Sequence, residues 1–177
     1  MTATKPILVV LFLLLSVSGC ARSKPLEKGS PVELRCDAIQ FAPPEGMTKF
    51  AVEVALPAAP RHSALQTSRQ LDTNGHSMLF AKTGLWFRGT SAMTISIKKG
   101  PSNARLEWGG TGGRAVMTPS NCRGEGEGWQ TLIGGYWTEH PACLTLEVSS
   151  DGTNQEALIG VGLACPGQVS PPFPSDM

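Results

Sequence analysis

Asp72, His76 and Ser77 lie close together in the chain, and they are the residue types from which a nucleophilic hydrolase is assembled. A nucleophile elbow requires Gly-x-Ser-x-Gly between a strand and a helix, so that the serine sits on a strained turn beneath an oxyanion hole. Gly75-His76-Ser77 continues with Met78 and Leu79, and Gly89-Thr90-Ser91-Ala92 ends in Met93, so both stretches miss the second glycine. A polar loop accounts for the cluster, and hydrolysis remains the alternative function. His62, His76 and His140 are far apart and lack partners at metal-motif spacing. Glu125 and Glu127 bring two acidic side chains where a calcium cage takes six or more oxygens. The glycines between 109 and 113 lead into Arg114-Ala115-Val116-Met117, not the Gly-Lys-Ser/Thr of a phosphate loop. No catalytic residue, metal or cofactor is assigned.

The aromatic residues Trp86, Trp108, Trp129, Tyr136 and Trp137 carry a different chemistry. Exposed rings stack on the apolar faces of sugars, whereas sandwich cores also absorb one or two tryptophans. Tyr136 and Trp137 lead as ligand-binding residues, because neighbours on a strand point to opposite faces and cannot share one core.

The elements that must position these groups are short. Gly 20 and Pro 14 in 177 residues, dispersed and without repeats, demand many turns and disfavour long helices. Alternation predicts strands at Val32, Leu34 and Cys36, at Phe50 to Leu56, at Met93, Ile95 and Ile97, at Leu144, Leu146 and Val148, and at Ile159 to Cys165. Gly84 reads as a break before Leu85-Trp86-Phe87, and residues 58–76 as a short helix or a long loop ending in the Asn74-Gly75 turn. Eight or so strands predict an all-β domain, an immunoglobulin-like β-sandwich over residues 31–166, with a small barrel as the alternative and a Pro-rich disordered tail at 167–177.

Residues 1–19 have one charge at Lys5, an apolar run from Ile7 to Leu15 and then small residues, the order of a secretory signal peptide. The run is shorter than the roughly 18 residues of a membrane-spanning helix. Val17-Ser18-Gly19-Cys20 resembles the lipobox of bacterial lipoproteins. That resemblance implies diacylglyceryl modification of Cys20, a polar tether over residues 20–30, and an extracytoplasmic protein anchored to the cell membrane, or to the outer membrane if the organism is Gram-negative. Two or three acyl chains hold firmly where one holds marginally. Without Lys5, the 14 acidic residues balance the remaining basic ones, so no long-range field draws nucleic acid.

With Cys20 lipidated, Cys36, Cys122, Cys143 and Cys165 remain, and export makes two disulfides the expectation. Parity places Cys36 and Cys165 on the buried faces of the first and last strands, which favours Cys36 with Cys165 and Cys122 with Cys143. From Trp129 through Gly134-Gly135-Tyr136-Trp137, Cys143-Leu144 and residues 162–165, the chain is similar to uncharacterised secreted β proteins of high-GC Gram-positive bacteria, which carries no activity with it. The expected function is a lipid-anchored binding or interaction module meeting an envelope glycan or protein; an envelope hydrolase and an accessory subunit of a membrane complex are the alternatives.

Overall fold

The computed structural model describes residues 42–50, 53–88, 93–109, 116–117, 128–150 and 152–173. The signal peptide, Cys20, the strand expected at residues 31–37, Cys36, Cys122, Glu125 and Glu127 lie outside the described residues.

Among the described residues the fold is all-β, in two antiparallel sheets without a helix. The first sheet runs β1 (Thr48–Phe50), β2 (Val54–Leu56), β4 (Ser77–Phe87), β8 (Gln130–Thr138) and β6 (Arg105–Trp108), and β3 (Ser68–Leu71) pairs with the early half of β4. The second runs β10 (Thr153–Val161), β9 (Ala142–Ser150), β5 (Met93–Lys99) and β7 (Val116–Met117). One apolar core lies between them in sandwich fashion, fed by Leu56, Leu85, Phe87, Leu106 and Trp108 from one side and by Ile95, Leu144, Leu146, Val148 and Ile159 from the other. The period-2 rule produces this: Leu144, Leu146 and Val148 point inward, and Glu147 between them points out. Each such side chain contributes about 1.5–3 kcal/mol on burial, so the core needs no helix to close it.

Residues 58–67, open to a short helix on sequence grounds, form a connection with one isolated bridge, Leu65 to Val161. β4 runs unbroken through Gly84, where a break was expected. The glycine serves Trp86 instead: a Cβ at position 84 would stand 2.7 Å from that indole and 3.0 Å from the Thr131 methyl.

The disulfide expectation requires correction. Cys165 is bonded to Cys143, not to Cys36, with Cα atoms 5.1 Å apart. Parity counting failed because β10 ends at Val161 and Gly162, at φ 70°, turns the chain back outside the sheet. Cys165 therefore meets the outward side of Cys143, whose register partner is Gly160. The returning chain passes over Gly160, where a Cβ would strike the Leu163 carbonyl, the Gln168 amide 2.5 Å away and Ala64.

The tail expected to be disordered from residue 167 is held as far as 173. The Ala64 N–H donates to the Val169 carbonyl at 2.9 Å, Gln168 Nε2 to the His62 carbonyl at 2.8 Å, and the Phe173 N–H to Gln66 Oε1 at 3.2 Å. With the disulfide, these bonds clasp the C-terminal stretch to the 58–66 connection.

Tyr136 sits wholly in the core, edge-on to Trp108 with ring centroids 5.1 Å apart, and its hydroxyl has no hydrogen-bond partner among the described residues. Burial pushes its pKa upward, because the phenolate has no water to stabilise it. An unsatisfied buried hydroxyl is a net cost, so Tyr136→Phe is expected to raise unfolding free energy by about 1 kcal/mol while keeping the ring contact. A urea titration of both proteins checks this, and a loss of stability would mean that the hydroxyl has a partner in solution.

Candidate functional site

The three residues of hydrolytic type do not form a triad. Asp72 is buried at the base of the β3–β4 turn, where Oδ1 accepts the backbone N–H groups of Asn74 at 2.9 Å and His76 at 2.8 Å. Its Oδ2 accepts from Arg105 at 2.7 Å and lies 3.6 Å from the imidazole of His76, which is exposed. Ser77 Oγ accepts from Arg69 at 3.5 Å, a cation that cannot serve as the base to which a nucleophilic serine donates. The carboxylate is thus committed to closing a hairpin and tying it to β6.

These contacts favour the ionised form, so the His76 backbone N–H first, then Arg105, hold the Asp72 pKa well below the ordinary carboxylate range against the opposing effect of burial. A depressed folded-state pKa contributes stability that is complete above the unfolded value, near pH 4, and is lost as pH falls from there toward the folded value. Asp72→Asn keeps a carbonyl acceptor but loses the charge. It is expected to lower the melting temperature at pH 7 and to flatten its fall below about pH 4, so that the two curves converge in acid. Parallel curves across pH 2–7, measured calorimetrically, would show that Asp72 does not carry this dependence.

His62 is half-buried, its ring bonded to the Ser63 carbonyl at 2.8 Å, and His140 is exposed between β8 and β9. Among the described residues no three His, Cys, Asp or Glu side chains converge on a point that would hold a metal.

The aromatic residues separate by face. Tyr136 and Trp137 point to opposite sides of β8 as expected, yet neither offers a free ring. Trp137 retains 7% exposure: it lies on Phe80 with centroids 4.5 Å apart, and its indole N–H donates to Glu107. The pair expected to bind ligand is therefore buried in this structure. Trp108 is in the core. Trp86 and Trp129 fall in the outward set of the first sheet, and of these Trp129 is the more open.

The pairing register assembles that outward face from five strands. Lys49 stands opposite Ala55, Ala55 opposite Trp86, and Trp86 opposite Thr131. Continuing the Phe87 to Gln130 pair by one residue sets Arg88 across from Trp129. Further along come Gly84 with Ile133, Lys82 with Gly135, and Phe80 with Trp137, which also faces Arg105. Eight residue steps from Trp129 to Trp137 span about 27 Å. Lys49 Nζ lies 5.8 Å and Arg88 Cζ 5.3 Å from the centroid of the Trp129 ring. Ile133 is 53% exposed at the middle of the face.

This face carries Lys49, Lys82 and Arg88 without a carboxylate partner among the described residues. Glu107, the acid contributed by these strands, is engaged by Trp137. The outward face of the second sheet is self-neutralised: Lys98 bonds Glu156 at 2.7 Å and Glu147 at 3.5 Å, which raises the lysine pKa and lowers that of Glu156. Among the described residues, cations without a carboxylate partner thus stand beside aromatic and apolar groups on this face. Sequence reasoning named Trp129 among five aromatics but put Tyr136 and Trp137 first, and it missed Lys49 and Arg88, which lie 80 and 41 residues before Trp129, because only the strand register brings them together. Comparison with protein-family models, with curated proteins and with solved structures finds no match to this chain.

Proposed function

We propose that the protein is a lipid-anchored binding module of the cell envelope, held through Cys20 and presenting the outer face of its first sheet to an envelope glycan. The observation that carries the binding part is the joining of Trp129, Lys49, Arg88, Ile133 and Lys82 on that face, against a second sheet whose outer charges pair among themselves. The anchor rests on the Val17-Ser18-Gly19-Cys20 pattern. In this reading the sandwich is of immunoglobulin-like general architecture. Cys143 and Cys165 being taken, Cys36 pairs with Cys122 as the second disulfide. The tether over residues 20–30 reaches at most about 40 Å from the membrane.

The test has two parts on mature protein extracted in detergent from membranes of producing cells. Intact mass is expected to show a chain starting at Cys20 with added acyl mass and no thiol open to alkylation before reduction. Co-sedimentation with purified cell-wall polymer is expected to retain the protein. An unacylated chain sinks the anchor, and failure to sediment with any wall preparation sinks the binding function.

A further inference from the structure

We infer that Trp129, Lys49 and Arg88 form the station at which an acidic glycan, one bearing carboxylate or phosphate groups, is read. The inference deepens the binding-module reading and rests on it.

Both cations stand within the roughly 6 Å over which an indole ring attracts positive charge. The ring holds two long cationic side chains that would otherwise be mobile. Glu53, four residues after Lys49, directs its carboxylate to Ser150 Oγ at 3.3 Å, while its backbone carbonyl accepts the Arg88 N–H at 2.9 Å. Arg88 is thereby fixed at the backbone, and among the described residues its guanidinium has no carboxylate partner. An oxyanion seated at this ring takes charge-assisted hydrogen bonds from the cations around it, with the planar guanidinium matching a carboxylate or phosphate edge.

The surroundings favour a saccharide over a free anion. Trp129 is half-buried and keeps part of its surface for the apolar side of a sugar. Along β8 the exposed Ile133 offers apolar contact, and beyond it Lys82 and Glu107 flank Gly135 from the two neighbouring strands. A glycan with an acidic group at the Trp129 end meets charge and then apolar surface. Chain neutrality elsewhere fits an occupant captured locally instead of drawn from a distance.

The test uses the mature lipidated protein in phosphatidylcholine vesicles, labelled with 5-fluorotryptophan so that the four tryptophans give separate fluorine resonances, with Trp129→Phe assigning one of them. The probes are oligogalacturonate, its carboxyl-reduced neutral counterpart and phosphomannan fragments. At least one acidic probe is expected to shift the Trp129 resonance saturably, at least tenfold more tightly than the neutral probe, and more weakly as salt rises. Lys49→Gln with Arg88→Gln is expected to weaken that binding at least tenfold. Lys98→Gln, on the other sheet, is expected to leave it unchanged and serves as the control for folding. Equal binding of the neutral probe, undiminished binding by the double variant, or a resonance unmoved by both acidic probes overturns the inference. So does a resonance that responds only when the vesicles contain phosphatidylglycerol, which would make the site a reader of lipid headgroups. If the double variant still sediments with cell wall as the parent does, this site is wrong and the binding function stands.

Discussion

Gly134→Ala is expected to cost at least about 3 kcal/mol of stability and to leave little folded protein at 37 °C. The position lies in β8 where β6 crosses closest. A Cβ there would strike the Glu107 carbonyl oxygen and stand 2.6 Å from the Trp108 Cα. Overpacking against a side chain is relieved by a rotamer change, but here the obstacle is the backbone of the neighbouring strand. Relief therefore means opening the register that sets Trp108 across from Gly134 and Leu106 across from Tyr136. Those residues are core, so local strain becomes loss of packing. Gly135→Ala meets the Ala81 carbonyl on the β4 side in the same way, and the two variants should be similarly damaging. Gly152→Ala is the useful contrast: nothing lies within 4 Å of a Cβ there, and only the φ of 75° resists it. That substitution is expected to cost about 1 kcal/mol. Urea unfolding midpoints of the variants give the ranking, and a Gly134→Ala protein as stable as Gly152→Ala would show that β6 and β8 lie farther apart in solution.

What the sequence disclosed follows from how local each signal is. β5, β9 and the inward half of β10 were legible because one face is buried and the other wet, so Met93-Ile95, Leu144-Leu146-Val148 and Ile159-Val161 alternate with polar or small residues. β3 was not legible: all four of Ser68–Leu71 are exposed, and a strand that buries neither face has no period to find. Gly84 misled for the opposite reason, since it marks the room taken by Trp86 and not a turn. The Cys143–Cys165 bridge was hidden by one left-handed residue, Gly162, which shifts everything after it off the strand's parity. The candidate site was the least legible feature, because Lys49 in β1, Arg88 just after β4 and Trp129 just before β8 are joined only by pairing register. Trp129 alone carried a sequence signal, and the two cations beside it read as ordinary surface charges.

Replacing both Cys143 and Cys165 by serine is expected to cost about 3 kcal/mol, the chain-entropy value for cross-linking residues 22 apart. The loss has two components. Releasing the bridge frees the loop that contains the β9–β10 hairpin in the unfolded state, and it also loosens the clasp in which Gln168 bonds the Cys165 N–H at 3.1 Å and the His62 carbonyl. The second component predicts where motion appears first: amide exchange should quicken at Ala64, Leu65 and Gln168 well before it does at Leu146 or Ile159 in the core. A non-reducing digest that isolates the peptide of Cys143 joined to that of Cys165 confirms the pairing directly. A digest joining Cys36 to Cys165 would restore the pairing expected from strand parity and remove the clasp as the reason Gly160 must be glycine. Serine replacement of Cys36 and Cys122, the second bridge proposed above, should leave exchange at Gln168 as it is in the parent protein. The clasp lies on the second sheet and its neighbouring connection, whereas the cationic face belongs to the first. Its loss should therefore lower stability without changing the affinity of Trp129 for an acidic probe, provided the measurement is made below the variant's unfolding midpoint.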